Sequence, residues 1–315
     1  MGSELAALHG RDFLASGDIS AAQTQALIAL AAAIKSGHSQ PRLDGKVLGL
    51  IFSKASTRTR VSFTVAMARL GGQTIDLNPS VSQVGRGEPI ADTARVLSRY
   101  VNALAIRTFA QSDLQGYADA ASIPIINALT DLEHPCQALA DYLTMQESFG
   151  KLSGLTMAYV GDGNNVAHSL LIAGAQLGVN VRIGCPAGFH PDPMVVQQAT
   201  ELAAGHCRME VVEDPAEAVA GAHAVYTDVW ASMGQEEEQT EREQAFRGFC
   251  VDEALMAKAD PAAIVLHCLP AHRGEEISES VLEGNSSRIF DQAENRLHAQ
   301  QALLAALLGA KGIED

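Results

Sequence analysis

The chain has 315 residues and a formal net charge of −15, with 37 Asp and Glu against 22 Lys and Arg. That acidity argues against a nucleic-acid or anionic-membrane partner, which needs a basic face, and an aromatic content of 5% leaves few rings for base stacking. At 47% apolar and 19% charged, and about twice the length of a typical ~150-residue domain, the chain is expected to form two globular domains.

The N-terminus carries Glu4 and neither a basic cluster nor a continuous apolar segment, so no secretory signal is expected. Ala6 stands where a myristoylation motif needs Ser or Thr. The longest uninterrupted apolar stretch, residues 26–34, falls far short of the roughly 20 residues that cross a bilayer. A first helix is expected over 21–36, opened by the capping box Ser20-x-x-Gln23 and closed by Gly37.

Apolar strands then alternate with segments of helical length. Strands are expected at 46–52, 73–77, 103–108 and 124–129, then at 155–161, 180–185, 208–213, 224–229 and 263–269, with a short one at 288–291. That alternation predicts an α/β fold of two doubly wound parallel-sheet domains facing an interdomain cleft and joined by helices. The junction is placed near Gly150, giving domains over 1–149 and 150–292. The apolar last helix, expected from 293, packs back on the first domain. Five widely spaced cysteines (Cys136, Cys185, Cys207, Cys250, Cys268) with no C-x-x-C pair predict a reducing, cytoplasmic setting and no zinc site.

Five segments at strand ends carry the chemistry. In Ser53-Lys54-Ala55-Ser56-Thr57-Arg58-Thr59-Arg60, hydroxyls, helix N-terminal amides and guanidinium forks are the groups that hold a phosphate dianion. The bland alternative is a capped helix with solvated arginines, although two arginines in a first turn oppose the macrodipole unless an anion compensates. In Asp131-Leu132-Glu133-His134-Pro135-Cys136-Gln137, Pro135 suits the first helical position. That places His134 beside the N-cap, where with Arg107 it could polarise a carbonyl oxygen; a lone His is otherwise more often structural.

The loop Gly161-Asp162-Gly163-Asn164-Asn165-Val166 lies where a dinucleotide fingerprint would, but Val166 replaces its third glycine. A nicotinamide-dependent dehydrogenase is therefore the alternative from another class, and the same small polar residues could hold an amino-acid head group. Asp228, ahead of Ser232-Met233-Gly234, could bind an ammonium, or be a turn residue; Cys268, in His267-Cys268-Leu269-Pro270, could lie beside it, or be a small buried hydrophobe. A cysteine–histidine nucleophile at 267–268 is disfavoured because consecutive strand residues face opposite sides. The acidic run 235–239 reads as a solvated loop or helix start.

This ordered set resembles the aspartate/ornithine carbamoyltransferase family, most nearly its ornithine-using members. The likeness spans residues 46–296 through S-T-R-T, Gln83 with Gly87-Glu88, D-T-A-R-V at 92–96, H-P-C-Q, G-D-G-N-N, D-x-x-x-S-M-G and H-C-L-P. It implies transfer of the carbamoyl group of carbamoyl phosphate to the δ-amine of L-ornithine, in arginine biosynthesis, by a cytoplasmic homotrimer needing no metal or cofactor. Acetylornithine or putrescine are the alternative acceptors.

Carried over, Ser56, Thr57, Arg58 and Thr59 bind the phosphate with Gln83 of a neighbouring subunit. Arg107, His134, Pro135, Cys136, Gln137, Cys268, Leu269 and Arg296 surround the carbamoyl end. Asn165, Asp228, Ser232 and Met233 match the ornithine site, and Arg107, His134, Gln137, Asp228 and Cys268 form the expected catalytic set. Ser53 departs from the family, which often has Glu before the Lys of this loop.

Overall fold

The computed structural model describes residues 2–78, 87–231 and 239–313. It divides into two compact units, Met1–Leu143 with Asn295–Asp315, and Thr144–Glu294. The junction expected near Gly150 compares with a division at Leu143/Thr144, inside a helix.

The first unit runs α1 (Gly2–Ala6), α2 (Ala21–Lys35), β1 (Val47–Phe52), α3 (Arg58–Arg69), β2 (Gln73–Leu77), α4 (Ile90–Leu97), β3 (Ala103–Arg107), α5 (Gln111–Ala120), β4 (Ile125–Leu129) and the start of α6 (Pro135–Phe149). Ser20 caps α2 by accepting from the Gln23 amide, and the Gln23 side chain returns to the Ser20 N–H at 2.9 Å, the reciprocal pair expected from S-x-x-Q. The sheet order is β2-β1-β3-β4, all parallel. Ile51 of β1, Leu104 and Ile106 of β3 and Ile125 of β4 join Leu114 and Tyr117 of α5 in one buried cluster. Continuous apolar runs suit strands covered on both faces, whereas the edge strand β2 is mostly exposed.

The second unit runs β5 (Thr156–Val160), α7 (Asn165–Leu177), β6 (Asn180–Gly184), α8 (Pro193–Ala203), β7 (Met209–Val212), α9 (Pro215–Val219), β8 (Ala224–Thr227), α10 (Gln239–Ala245), α11 (Glu253–Met256), β9 (Ile264–His267), α12 (Glu279–Leu282) and the start of α13 (Ile289–Leu307). Its sheet order is β7-β6-β5-β8-β9, again all parallel. The strand expected at 288–291 does not form. Ser287 makes a single bridge to Val265, and α13 then begins at Ile289, four residues before the expected start. Ile289 is buried in the core of this unit, so its apolar character reflects a helix's first turn.

Strand order reverses in each sheet, between β1 and β3 and between β5 and β8; with the right-handed crossovers that parallel strands follow as a rule, such an order puts helices on both faces. Ligands of such sheets bind beyond the carboxyl ends of the strands flanking the reversal. Those ends carry Ser53–Thr59 and Arg107 in the first unit, and Gly161–Asn165 and Asp228 in the second. The next strand along, β4 or β9, leads into His134 or Cys268. Among the described residues no helix is long and apolar enough to cross a membrane.

Candidate active site

In the first unit, α3 starts at Arg58 behind Thr57, which sits in the helical region and gives no side-chain cap. The helix therefore presents its first amides without the hydroxyl that ordinarily satisfies one of them, with positive charge added to the positive end of its dipole. The two arginines of this turn part company. Arg60 pairs with Asp76 at 2.6 Å and lies 5.3 Å from the Phe52 ring centroid, a structural assignment, whereas Arg58 is exposed. Ser56 is half-buried and Thr57 exposed, while the buried Thr59 hydroxyl accepts from Arg296 Nη2 at 2.6 Å.

Arg296 also donates through Nη1 to Gln137 Oε1, and Gln137 Nε2 donates to Asp141 Oδ1 at 2.7 Å. This chain fixes the amide of Gln137 and links α3, α6 and α13. Arg107 ends β3 where the register with β4 shifts between Ile106 and Arg107; such an irregularity re-aims the strand's last side chain. The Ser53 N–H donates to the Arg107 carbonyl at 2.8 Å, tying the loop after β1 to the end of β3.

His134 precedes Pro135, the first residue of α6, and is 5% exposed. Burial, and after it the charges of Arg296, Arg107 and Arg58, push its proton affinity well below the ordinary value of 6.5. The ring is thus a neutral hydrogen-bonding group among three guanidinium charges. Its loop is held by Glu133, whose carboxylate accepts from the Ser16 amide at 2.9 Å and the Ser16 hydroxyl at 2.5 Å. Cys136 points elsewhere: its thiol meets the Asn127 carbonyl at 3.3 Å, and burial pushes it up to about 12, so it is an inert packing group.

The depressed His134 fixes the sign of a pH effect. The unfolded chain takes up a proton at this residue as pH falls through 6.5 and the folded chain does not, so folding stability declines below that pH. We expect the urea midpoint to fall between pH 6.5 and 5, with a contribution from this group of at most about 1.4 kcal/mol per pH unit, and His134→Gln to flatten the slope.

In the second unit, Asp228 follows β8 and is 6% exposed. One carboxylate oxygen accepts from the Cys268 thiol at 3.0 Å and the other from Asn164 Nδ2 at 3.0 Å. Cys268 lies one residue beyond β9, so the opposite-face argument against a Cys268–His267 pair does not apply, and the two side chains approach within 4.8 Å. The pair is nonetheless not arranged as nucleophile and base. His267 Nδ1 accepts from the Leu269 amide at 2.8 Å, and Nε2 therefore donates to Glu276 Oε1 at 3.1 Å.

Asp228, His267 and Cys268 are spaced as metal ligands, yet both ring nitrogens of His267 are engaged in this way, so a metal would have to displace one partner. Leu269 holds φ at +60°, a left-handed conformation that costs a non-glycine residue roughly 1–3 kcal/mol and tends to mark sites where backbone geometry matters.

The Gly161–Asn165 loop is closed to a dinucleotide. Asn164 Oδ1 already accepts from the Val166 and Ala167 amides at the start of α7, where a pyrophosphate would sit. Gly163 packs against the segment after β6: its N–H donates to the Phe189 carbonyl at 2.8 Å, and a Cβ here would stand 2.2 Å from the Pro191 nitrogen. Gly163→Ala should therefore cost about 1–3 kcal/mol or more, seen as a lower denaturant midpoint. Asn165 is half-buried at the first position of α7.

Gln83, Ser232, Met233 and residues 235–238 of the acidic run lie outside the described residues. Three groups were not singled out from the sequence. Asn164 was available, as an N-cap residue ahead of a helix. Arg242, which joins Asp162 at 2.7 Å and the Trp230 carbonyl at 2.8 Å beneath the Phe189 ring, carried no local signal. Neither did the buried Glu276 behind His267.

A two-unit parallel α/β chain with an arginine-ringed neutral histidine in one unit and a buried carboxylate in the other can be set beside known proteins. The family model for the aspartate/ornithine carbamoyltransferase carbamoyl-P binding domain matches residues 11–147, and that for the family's Asp/Orn binding domain matches residues 153–307. The chain belongs to this family. It is 70% identical to the ornithine carbamoyltransferase of Parasynechococcus marenigrum (strain WH8102) over 305 residues, 97% of this chain and 96% of that one. The crystal structure of ornithine carbamoyltransferase from Gloeobacter violaceus matches with a TM-score of 0.88 at 55% identity, covering 96% of this chain and 99% of that one. Ornithine carbamoyltransferase from Pyrococcus furiosus matches with a TM-score of 0.92 at 50% identity, covering 96% and 98%.

Proposed function

We propose that the protein transfers the carbamoyl group of carbamoyl phosphate to the δ-amine of L-ornithine, giving L-citrulline and phosphate, as a step of arginine biosynthesis in the cytoplasm. The observation that carries this reading is the neutral His134 held among Arg58, Arg107 and Arg296. A dianion finds its counter-charges there, and a carbonyl finds a donor that remains uncharged.

In this reading Ser56, Thr57, Arg58 and the amides of α3 take the phosphate. Arg107, His134 and Thr59 donate to the carbonyl oxygen as it gains charge, and Gln137 and Arg296 orient the carbamoyl amide. Such donors act more strongly on the transition state than on the ground state. The main chain at Pro135, Cys136 and Leu269 lines the carbamoyl end, and Asp228 receives the α-ammonium of ornithine beside Cys268. Asn165, Ser232 and Met233 take its carboxylate and chain.

The δ-nitrogen attacks the carbonyl carbon, the carbon–oxygen bond to phosphate breaks, and the nitrogen's surplus proton leaves with the departing phosphate as acceptor. Because an alkyl ammonium has a pKa near 10.4, the site must take ornithine with its δ-amine neutral.

A homotrimer with Gln83 reaching into a neighbouring subunit completes the proposal. Its support is apolar surface on the first unit, where Val61, Ile75 of the edge strand β2, Val96 and Tyr100 are exposed. Citrulline formation from ornithine and carbamoyl phosphate tests the activity, with putrescine, acetylornithine and an NADH-linked assay as competing arms. A sedimentation mass other than three chains would reject the trimer.

A further inference from the structure

Asn164 is assigned no role in the reaction above, yet its side chain holds Asp228 in place. Its Oδ1 accepts from the Val166 amide at 2.9 Å, the Ala167 amide at 3.3 Å and the Tyr159 hydroxyl at 3.3 Å. Only the oxygen end of an amide can meet two backbone N–H groups, so these donors fix which way the group points. Its NH₂ must then face Asp228 Oδ2, at 3.0 Å, while Cys268 occupies Oδ1.

Tyr159 is fully buried, and burial, followed by the Asp228 and Asp162 charges, raises its hydroxyl well above 10, which keeps it a donor. The carboxylate is thus gripped at each oxygen from a different loop, and the end of α7 is one of the two grips.

We infer that Asn164 is a positioning residue for the amino-acid substrate: through its amide it sets the orientation of Asp228 toward the α-ammonium of ornithine, without itself touching the substrate. The inference rests on the proposed carbamoyl transfer to ornithine. It requires a carboxamide specifically, because Asp caps a helix as well as Asn but offers no donor. In Asn164→Asp the second oxygen would oppose Asp228 Oδ2 at the distance now spanned by a hydrogen bond. Asn164→Ser keeps a capping hydroxyl, without a donor long enough to reach Asp228.

The test measures KM for each substrate, kcat and Tm of the full-length enzyme. With the cap retained, Asn164→Asp should raise the ornithine KM by about 30-fold or more and Asn164→Ser by about 5- to 10-fold, with the carbamoyl phosphate KM within about twofold. In the double variant Asn164→Ser/Asp228→Asn, the serine should add less than about twofold to the Asp228→Asn loss, because the two residues act as one unit.

An ornithine KM within twofold of wild type in both single variants, equal losses for both substrates, or additive effects in the double variant would overturn the inference. If Asn164→Asp does not fold, Asn164→Ser decides by the same split. Absence of citrulline from the wild-type enzyme would instead reject the activity itself. Citrulline formation with a damaged Asp228→Asn and an undamaged Asn164→Ser would reject only the role of Asn164.

Discussion

Arg58→Ala is expected to raise the KM for carbamoyl phosphate by ~10²–10⁴-fold while leaving thermal stability unchanged. A guanidinium fork on a phosphate makes two charge-assisted hydrogen bonds, each worth about 1.5–3 kcal/mol, and alanine removes both. The separation of binding from folding follows from exposure: the Arg58 side chain is exposed, whereas its neighbour Arg60 is half-buried, paired with Asp76 and set against Phe52. Arg58→Lys should recover part of the affinity, because an ammonium meets the phosphate as a point charge and cannot bridge two of its oxygens. Steady-state kinetics at saturating ornithine, together with a melting curve, read both effects. A KM within threefold of wild type in Arg58→Ala would remove this loop from the phosphate site.

Asp228→Asn is expected to lower kcat/KM for ornithine by ~10²–10⁴-fold with little change in carbamoyl phosphate binding. The buried carboxylate now satisfies two donors, Asn164 Nδ2 and the Cys268 thiol, and would meet the α-ammonium as counter-charge. An amide carries no net charge to meet the ammonium, and one end of it repeats the donor character of Asn164. Wild-type discrimination against putrescine and aspartate tests the same geometry. Putrescine lacks the group that Asn165 and the loop after Asp228 are proposed to bind, and aspartate would bring a second carboxylate toward Asp228. Sites built to hydrogen-bond a group reject analogues that lack it by large factors. Comparable kcat/KM values for the three amines would withdraw ornithine and leave carbamoyl transfer standing.

The alternation of strands and helices was legible because parallel-sheet strands are short apolar runs with turn residues at both ends, as in Val47–Phe52 and Thr156–Val160. The sequence misled at 288–291, where two apolar residues at a helix start imitate a strand, and at Cys268, where β9 ends at His267, two residues short of the expected strand 263–269.

The candidate site was legible where its residues follow strands in compact motifs. What lay beyond reach were contacts between residues far apart in the chain: Arg296 on Thr59, Glu133 on Ser16, Arg242 on Asp162. No periodicity encodes such pairs, since each depends on which strand ends the sheet order makes adjacent. The different surroundings of Arg58 and Arg60 were equally hidden, because one composition and spacing serves both an exposed arginine and one paired with a carboxylate on the neighbouring strand.

The packing of Gly163 against the Pro191 backbone bears on which ligands this sheet can take. A sheet of this strand order ordinarily offers a berth to nucleotides. Here the berth is filled by the protein's own main chain on one side and by the Asn164 carboxamide on the other. Neither plug swings aside freely: one is backbone, and the other is a side chain pinned by the helix amides it caps. Adenine and nicotinamide nucleotides should accordingly fail to compete with small ligands at the carboxyl end of β5, which a competition assay would read.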